Sequence, residues 1–426
     1  MSSGSISATA GTSYWLHSQW TNPNDIFTIL SILGGDVVRK AIGQLAAGPV
    51  PYFCPVSFSF GWVRILVWPT SWPRLMRRQV PFAVSAMLSA FGDDRLMPPP
   101  ELECVLINAN SGCARTNRSW LLAHLLRDLD FWMPQLISTS SKSTQPGKEQ
   151  ETHRSKAGLR VTVWRCETIT GKGRHDFVYW SGIFVLLVQL LALGVLPLVL
   201  FGEYFTIMIT ACGTVLAWLS GALPQWVEEK SLVRQLSKKK DVLVTEGSGA
   251  YEMIMLRAQP GDLDLEALAG SRRDLSNPAL TRTCCALLAI SWIVLLITVA
   301  GWEQHTWYIL GVGIIGMIHN IFVAGSERMP AASGIPLEYE AVFADNKVMK
   351  VLWKLEDAYP RAGASTLGTF FSGVLNEKEK NAWQFAAERF EHWKSRGYPR
   401  GRNTKAVAWT MPNAEWVDNV DFIRPP

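Results

Sequence analysis

The stretch VYWSGIFVLLVQLLALGVLPLVLF, residues 178–201, decides the fold class, because it runs for 24 residues without a charged side chain. A helix rises about 1.5 Å per residue, so about 20 residues cross the roughly 30 Å of hydrocarbon in a bilayer. A second uncharged run, residues 204–226, follows after only Gly202 and Glu203. The two runs together predict a transmembrane hairpin over 178–226.

A second hairpin is predicted over 284–323, where the runs 284–300 and 307–323 flank the short connection GWEQHT. Each run lies near the lower limit of about 17 residues for a membrane span. The whole chain is 48% apolar and 11% aromatic but only 18% charged. A soluble fold would have to bury all four runs on every side. Tryptophans, which favour the headgroup layer, lie at the hairpin ends: Trp180, Trp226, Trp302 and Trp307.

The distribution of Lys and Arg predicts the orientation. Segment 151–177 carries six such residues and segment 227–282 carries nine, whereas the two hairpin turns carry none. Because basic loops are retained in the cytosol, we expect the turns at Gly202 and Gly301 on the opposite face. Three parts are therefore predicted to be cytosolic: a segment over 93–177, a loop over 227–283 and a tail over 324–426.

These cytosolic parts are predicted to form a small α+β portion. LRVTVWRC (159–166) alternates apolar and polar residues, and residues 241–256 read as a β-hairpin around EGSGA, so three strands can pair. An apolar stripe predicts a helix over 120–132 that ends before Pro134. Asn376, with Glu379 three positions later, is a candidate N-cap for another helix. Residues 138–157 are polar and lack aromatics, which predicts a linker.

The N-terminal segment, residues 1–50, contains an amphipathic pattern over 25–47. An apolar stripe runs from Ile26 to Leu45, while Asp36 and Lys40 lie off that stripe. This pattern is typical of an interfacial helix. The alternative is a span whose charged residues face the bundle.

Residues 51–92 read as one membrane span interrupted by VRILVWPTSWPRLMRRQ (63–79). As written, Arg64 inside the apolar run would cost about 2.5–3.5 kcal/mol. Removing these 17 residues joins PVSFSFGW to VPFAVSAMLSAFG, which gives 21 residues without a charge. The segment 63–79 begins with Val-Arg and ends with Gln, and these residues are compatible with the codons found at intron boundaries. We therefore hypothesise that the segment is a retained, translated intron. A genuine re-entrant insertion is the alternative.

A resemblance supports the same class. The strings TNPNDIFTILSILGGDVVRKAIGQLAAG, PVSFSFGW, GDDRLMPPPE, INANSGCARTNRSW, LLRDLD and GIPLEYEAVF are similar to fungal multi-pass membrane proteins of unknown function, some near secondary-metabolite gene clusters. The resemblance covers most of the chain. In that family the equivalent of FGWV runs directly into that of AVSAMLSAFGD, so residues 63–79 depart from its pattern. It implies no catalytic residues. The expected fold is an α-helical integral membrane protein with two transmembrane hairpins, one further span and a small cytosolic α+β portion.

Candidate chemistry is sparse. Asp93 and Asp94 could bind Mg²⁺ for a prenyl diphosphate, but the two aspartate-rich motifs of membrane prenyltransferases are not found, and a solvated span end is favoured. GVGIIG (311–316) lies inside a predicted span without a preceding strand, so helix packing is favoured over dinucleotide binding. Polar residues within spans can line a pathway or form interhelical hydrogen bonds, and these are Gln189, His319 and Asn320.

Other functional classes have less support. The net charge of +5 is spread over loops, which disfavours nucleic-acid binding, and the seven Cys lack a CxxC pair, which disfavours a metal site. No cofactor is predicted. We expect a scaffold or accessory factor without recognisable catalytic machinery, whose partners are the lipid bilayer and other membrane proteins or biosynthetic enzymes. The alternative is a membrane enzyme on a terpenoid or polyketide substrate, with Asp93, Asp94 and His319 as weak catalytic candidates. A transporter is third, because so few buried polar groups offer a poor pathway.

Overall fold

The structure is a computed structural model that describes residues 35–46, 48, 53–59, 96–140, 158–167, 173–231, 234–270, 277–302, 305–371, 373 and 375–396. Three predicted features lie outside these residues: the insertion 63–79, Asp93 with Asp94, and most of the linker 138–157. Its first three residues, 138–140, belong to a helix.

The elements follow one another along the chain as helices and short strands. The helices are α1 (Gly35–Leu45), α2 (Trp120–Arg127), α3 (Leu129–Ser140), α4 (Phe177–Leu187), α5 (Val195–Phe201), α6 (Phe205–Gly221), α7 (Pro224–Ser231), α8 (Leu265–Ala269), α9 (Pro278–Ala300), α10 (Thr306–Gly325), α11 (Val348–Ala358), α12 (Ala362–Phe370) and α13 (Glu377–Arg396). The strands are β1 (Val105–Asn108), β2 (Ala114–Thr116), β3 (Leu159–Cys166), β4 (Lys240–Thr245), β5 (Glu252–Ala258) and β6 (Leu337–Asp345).

Within the described residues, four helical stretches are long and apolar enough to cross a membrane, which confirms the helices of both predicted hairpins. In chain order, spans 1 to 4 are Phe177–Phe201, Phe205–Ser231, Ala279–Ala300 and Thr306–Gly325. Span 1 combines α4 and α5 through a π-helical turn over Val188–Gly194. Gly202, at φ 71°, ends this span in the left-handed conformation that favours glycine.

A six-stranded mixed sheet forms the second part of the fold, in the order β2-β1-β4-β5-β3-β6. The pair β3 and β5 is parallel and the other neighbours are antiparallel. Strand β3 and the hairpin β4-β5 confirm the predicted strands, whereas β1, β2 and β6 were not predicted. One face packs on α2, α3 and α8, and the other on α11, α12 and α13. Since both faces are covered, most of the central strands are apolar on both sides.

Two local predictions have different outcomes. The helix predicted over 120–132 is two helices, because the chain breaks at Asp128, and the predicted end before Pro134 is wrong. Pro134 lies inside α3, where it removes one hydrogen bond, to the carbonyl of the solvent-exposed Asp130. The predicted start of α13 is confirmed. The backbone N–H of Asn376 donates to Glu379 at 3.0 Å, which is one half of a capping box.

The N-terminal helix α1 packs on α10, and its apolar stripe joins the core of the four spans. The structure describes it from Gly35, within the predicted 25–47. The span predicted over 51–92 begins differently from its prediction. Its described part, residues 53–59, is extended rather than helical.

Candidate functional site

The extended segment FCPVSFS, residues 53–59, lies inside the bundle of spans, and Cys54 to Ser59 are all buried. Non-helical backbone at membrane depth requires hydrogen-bond partners from the surrounding protein. Two span side chains supply them. Gln189 Nε2 donates to the carbonyl of Phe58 at 2.9 Å, and Asn320 Nδ2 donates to the carbonyl of Ser57 at 3.1 Å.

Glycines on the spans make room for this segment. A Cβ atom at Gly316 would lie 1.8 Å from the carbonyl oxygen of Phe58, and one at Gly182 would lie 2.1 Å from that of Pro55. The predicted packing role of GVGIIG therefore applies to Gly316, but its neighbour is extended backbone instead of another helix. Gly213 and Gly221 in span 2 contact the same segment through Phe58 and Cys54.

His319 forms the polar centre of this region, and its two ring nitrogens lie next to two serine hydroxyls. Ser57 Oγ is 2.6 Å from Nδ1, and Ser181 Oγ is 3.0 Å from Nε2. His319 is 5% exposed and Ser57 is fully buried, whereas Ser181 is partly exposed. The imidazole thus joins spans 1 and 4 to the extended segment.

The three polar residues predicted within spans are brought together around residues 57–59. Gln189 also donates to the carbonyl of Val312 at 2.9 Å, which confirms the predicted interhelical hydrogen bond. Asn320 reaches Ser59 Oγ at 2.9 Å as well. Among the described residues, the amide oxygens of Gln189 and Asn320 are buried without a hydrogen-bond partner. We name this region the intramembrane polar cluster, comprising Ser57, Ser59, Ser181, Gln189, His319 and Asn320.

A second polar region, which we call the junction, joins the spans to the sheet. Its central side chain is Arg328, which follows span 4. The guanidinium contacts Asp176 through Nε at 2.6 Å and Nη2 at 2.8 Å, and it also donates to the carbonyl of Gln44. The Arg328 backbone N–H donates to Asp128 at 3.0 Å. One residue therefore links α1, the break between α2 and α3, and the start of span 1.

Lys230 in α7 completes the junction. Its Nζ donates to the carbonyls of Gly43 at 2.8 Å, Gln44 at 3.1 Å and Ala46 at 2.8 Å, and the residue is 2% exposed. Gly43 and Gln44 lie in the last turn of α1 and Ala46 directly follows it, where the backbone carbonyls have no donor from the helix itself. A cation at that end also complements the negative end of the helix dipole. The side chain thus caps α1 against span 2.

Carboxylates extend the junction towards the sheet. Glu101 accepts from Lys40 at 2.8 Å and from Arg127 at 2.7 Å. Burial favours a higher pKa for Glu101, but these two cations outweigh it and hold the pKa below its ordinary value. Asp128 behaves similarly, because hydrogen bonds from His124 and Arg127 outweigh its burial and lower its pKa. Both groups are therefore ionised at neutral pH and serve as acceptors.

The charged side chains of the junction therefore have structural partners. Among the described residues, no group of three or more His, Cys, Asp or Glu side chains is arranged to hold a metal ion. All seven Cys are free. Comparison of the chain with known protein families, curated proteins and solved structures gives no match.

Sequence reasoning found part of this arrangement. Gln189, His319 and Asn320 were recognisable as polar residues within spans, but their shared partner, residues 53–59, was read as the beginning of a span. Lys230 was interpreted as a retained cytosolic charge, with lipid contact as the alternative, and Arg328 was not singled out. The sequence did contain one signal for Lys230 and Arg328, which is that both cations lie at the ends of spans.

Replacing Arg328 by Gln is expected to destabilise the protein by about 3 kcal/mol, because it leaves Asp176 and the Gln44 carbonyl without their cationic donor. The measurement is the thermal unfolding midpoint of the detergent-solubilised protein. Arg165→Gln is the matched control, because Arg165 is half exposed and lies 4.0 Å from Glu338. Its expected change is below about 0.5 kcal/mol. Equal midpoints for the two variants would show that the junction does not stabilise the fold.

Proposed function

We propose that the chain is a multi-pass integral membrane protein that holds an α+β domain at the cytosolic face of a fungal membrane. In this proposal it acts as a scaffold or accessory factor in specialised metabolism. Its partners are the bilayer and other membrane proteins or biosynthetic enzymes. The resemblance to fungal membrane proteins motivates the fungal setting, and the apolar surface of the four spans supports insertion into a bilayer.

The outer surface of the spans supports insertion into a bilayer. Large apolar side chains point away from the bundle, and Phe184, Leu191, Val199 and Ile297 are 66%, 63%, 73% and 67% exposed. A soluble protein rarely exposes a contiguous apolar surface of this kind. In a lipid bilayer this surface is not exposed to water and carries no hydrophobic penalty, because hydrocarbon is as apolar as these side chains.

The junction is the observation that carries the scaffold proposal. A scaffold must fix the orientation of its docking domain relative to the membrane. Here Arg328 joins span 1 to the α2-α3 break, while Arg127 in α2 joins that break to Glu101. α2 also packs on one face of the sheet. These bonds connect the sheet to the spans through side chains that are at most 23% exposed.

The scaffold proposal is tested by complementing a deletion strain and profiling its metabolites. We expect wild-type protein and a variant with both Asp93→Ala and Asp94→Ala to restore the profile equally. At matched membrane abundance, Arg328→Gln should restore it less, because the domain is no longer fixed, whereas Arg165→Gln should restore it fully. Failure of the double aspartate variant alone would instead favour the competing proposal, a membrane enzyme acting on a lipophilic terpenoid or polyketide substrate.

The proposed orientation predicts the labelling of single cysteines. Cysteines placed near Lys239 and near Trp383 should react with a membrane-impermeant reagent on the cytosolic side, because Lys and Arg are retained there. Glu303→Cys should be protected in the same sealed vesicles and react after permeabilisation. Labelling of Glu303→Cys from the cytosolic side would contradict the proposed topology.

A further inference from the structure

The intramembrane polar cluster contains a histidine whose two ring nitrogens contact different serine hydroxyls. The distances are 2.6 Å from Nδ1 to Ser57 Oγ and 3.0 Å from Nε2 to Ser181 Oγ. A nucleophile, a base and a third group that orients the base are the elements of serine-type acyl transfer. An ionisable residue within a span is also a candidate functional group by position, since burial there is costly.

The two serines differ in access. Ser57 is fully buried in the extended segment, where Asn320 Nδ2 holds its carbonyl at 3.1 Å. Ser181 is partly exposed on span 1, next to the exposed side chains of Trp180 and Phe184. A substrate approaching from the lipid can therefore reach Ser181. Ser57 is placed to orient the imidazole from behind.

The depth of Ser181 suits an ester at the membrane boundary. It lies four residues after Phe177, which corresponds to about 6 Å along the helix axis. Span 1 has 25 residues, or about 37 Å of helix, so its ends extend beyond the roughly 30 Å of hydrocarbon. The Asp176–Arg328 ion pair immediately precedes the span. Ser181 thus lies near the level where the ester groups of bilayer lipids are found.

We propose that Ser181 is a nucleophile that His319 activates for acyl transfer from an ester of a lipophilic acid, with Ser57 orienting the ring. Ser181 Oγ forms a bond to the ester carbonyl carbon as its proton passes to Nε2 of His319. The tetrahedral intermediate then collapses, the ester C–O bond breaks, and the departing alkoxide takes that proton. Water hydrolyses the acyl-serine by the same route, which returns free Ser181 and releases the acid.

The competing interpretation is an ordinary helical serine. Ser181 Oγ also lies 2.8 Å from the carbonyl of Val178, three residues earlier, and its single proton serves either that carbonyl or His319. A proton donated to His319 leaves Nδ1–H to donate to Ser57, which is the tautomer that catalysis requires. A proton donated to Val178 leaves Nε2 without its donor. Reactivity of the hydroxyl separates the two interpretations.

The test uses an alkyl fluorophosphonate on the full-length protein in detergent micelles, with the labelled peptide identified by mass spectrometry. We expect one label, on Ser181, and none in Ser181→Ala. His319→Gln should slow labelling by about 100-fold or more, the usual effect of removing a general base. Ser57→Ala should slow it by a smaller factor. Ser291→Ala is the control, because Ser291 is an exposed hydroxyl on span 3 bonded to its own helix at 2.9 Å.

The wild-type result decides the proposal even where a variant folds poorly. Absence of label on wild-type Ser181, while a known serine hydrolase labels in parallel, overturns it. An unchanged rate in a folded His319→Gln variant, judged by its thermal midpoint, also overturns it. The proposed activity is independent of the scaffold role. If Ser181 is not labelled, the expected complementation result with Arg328→Gln is unaffected. If that complementation result fails, the expected labelling of Ser181 is likewise unaffected.

Discussion

Replacing Gly316 by Ala is expected to prevent the bundle from closing around the extended segment, whereas the same change at Gly311 should be tolerated. The added Cβ at Gly316 would lie 1.8 Å from the Phe58 carbonyl oxygen and 2.8 Å from Gln189 Nε2. At Gly311 the nearest atom is Leu193 Cδ1 at 3.6 Å, an ordinary contact. Both glycines belong to α10 and to the same GVGIIG motif, so helix propensity is matched.

The size of the effect at Gly316 follows from what must move. The clash is with backbone, so either residues 57–59 or α10 must shift, and the Phe58 carbonyl then loses the hydrogen bond from Gln189. Overpacking costs about 1–3 kcal/mol and an orphaned buried carbonyl a further ~1–3 kcal/mol. Gly311→Ala should instead gain up to about 1 kcal/mol from helix propensity.

Thermal unfolding of the two purified variants in the same detergent checks this difference. We expect a large fall in midpoint, or loss of folded protein, for Gly316→Ala only. Similar midpoints for both variants would mean that the extended segment does not pack against span 4 as described.

The spans were predictable because a charge-free run of sufficient length is a signal contained in one stretch of sequence. Strand β3 was predictable for the same reason, since its alternation is local. Strands β1 and β2 span four and three residues, too short for a periodic pattern. Strand β6 reads LEYEAVFAD, an edge strand of mixed exposure, and its placement depends on pairing with β3 far earlier in the chain.

The polar regions were predictable only in part, because their partners are distant in sequence. A buried amide within a span is visible as an anomaly, but the sequence does not state what it bonds to. Residues 53–59 share the composition of a span, and only the glycines and donors around them make extended backbone acceptable at that depth. Likewise, the positive-inside rule accounts for Lys230 and Arg328 without distinguishing a solvated cation from a buried cap.

Replacing Lys230 by Met is expected to detach α1 from the bundle, because Met keeps most of the apolar stem but lacks the ammonium that donates three hydrogen bonds. The carbonyls of Gly43 and Ala46 then lose the donor described here, whereas the Gln44 carbonyl keeps the hydrogen bond from Arg328. Each of the two unpaired carbonyls costs about 1–3 kcal/mol. Removing the ammonium also removes the cost of burying its charge, but cation–π attraction to Trp120 already offsets part of that cost. The loss at the carbonyls should therefore exceed the gain. The net loss should be about 3 kcal/mol.

Limited proteolysis and thermal unfolding together distinguish local release of α1 from general destabilisation. In Lys230→Met we expect cleavage within α1 at protease concentrations that leave wild-type protein intact, because docking of this helix depends on its capped end. Lys239→Met is the matched control, since it removes the same charge from a side chain that is 42% exposed and lies 3.6 Å from Asp241. If both variants resist cleavage equally, the other contacts of α1, such as its apolar stripe on α10, hold it in place, and the three hydrogen bonds from Lys230 contribute little to its position.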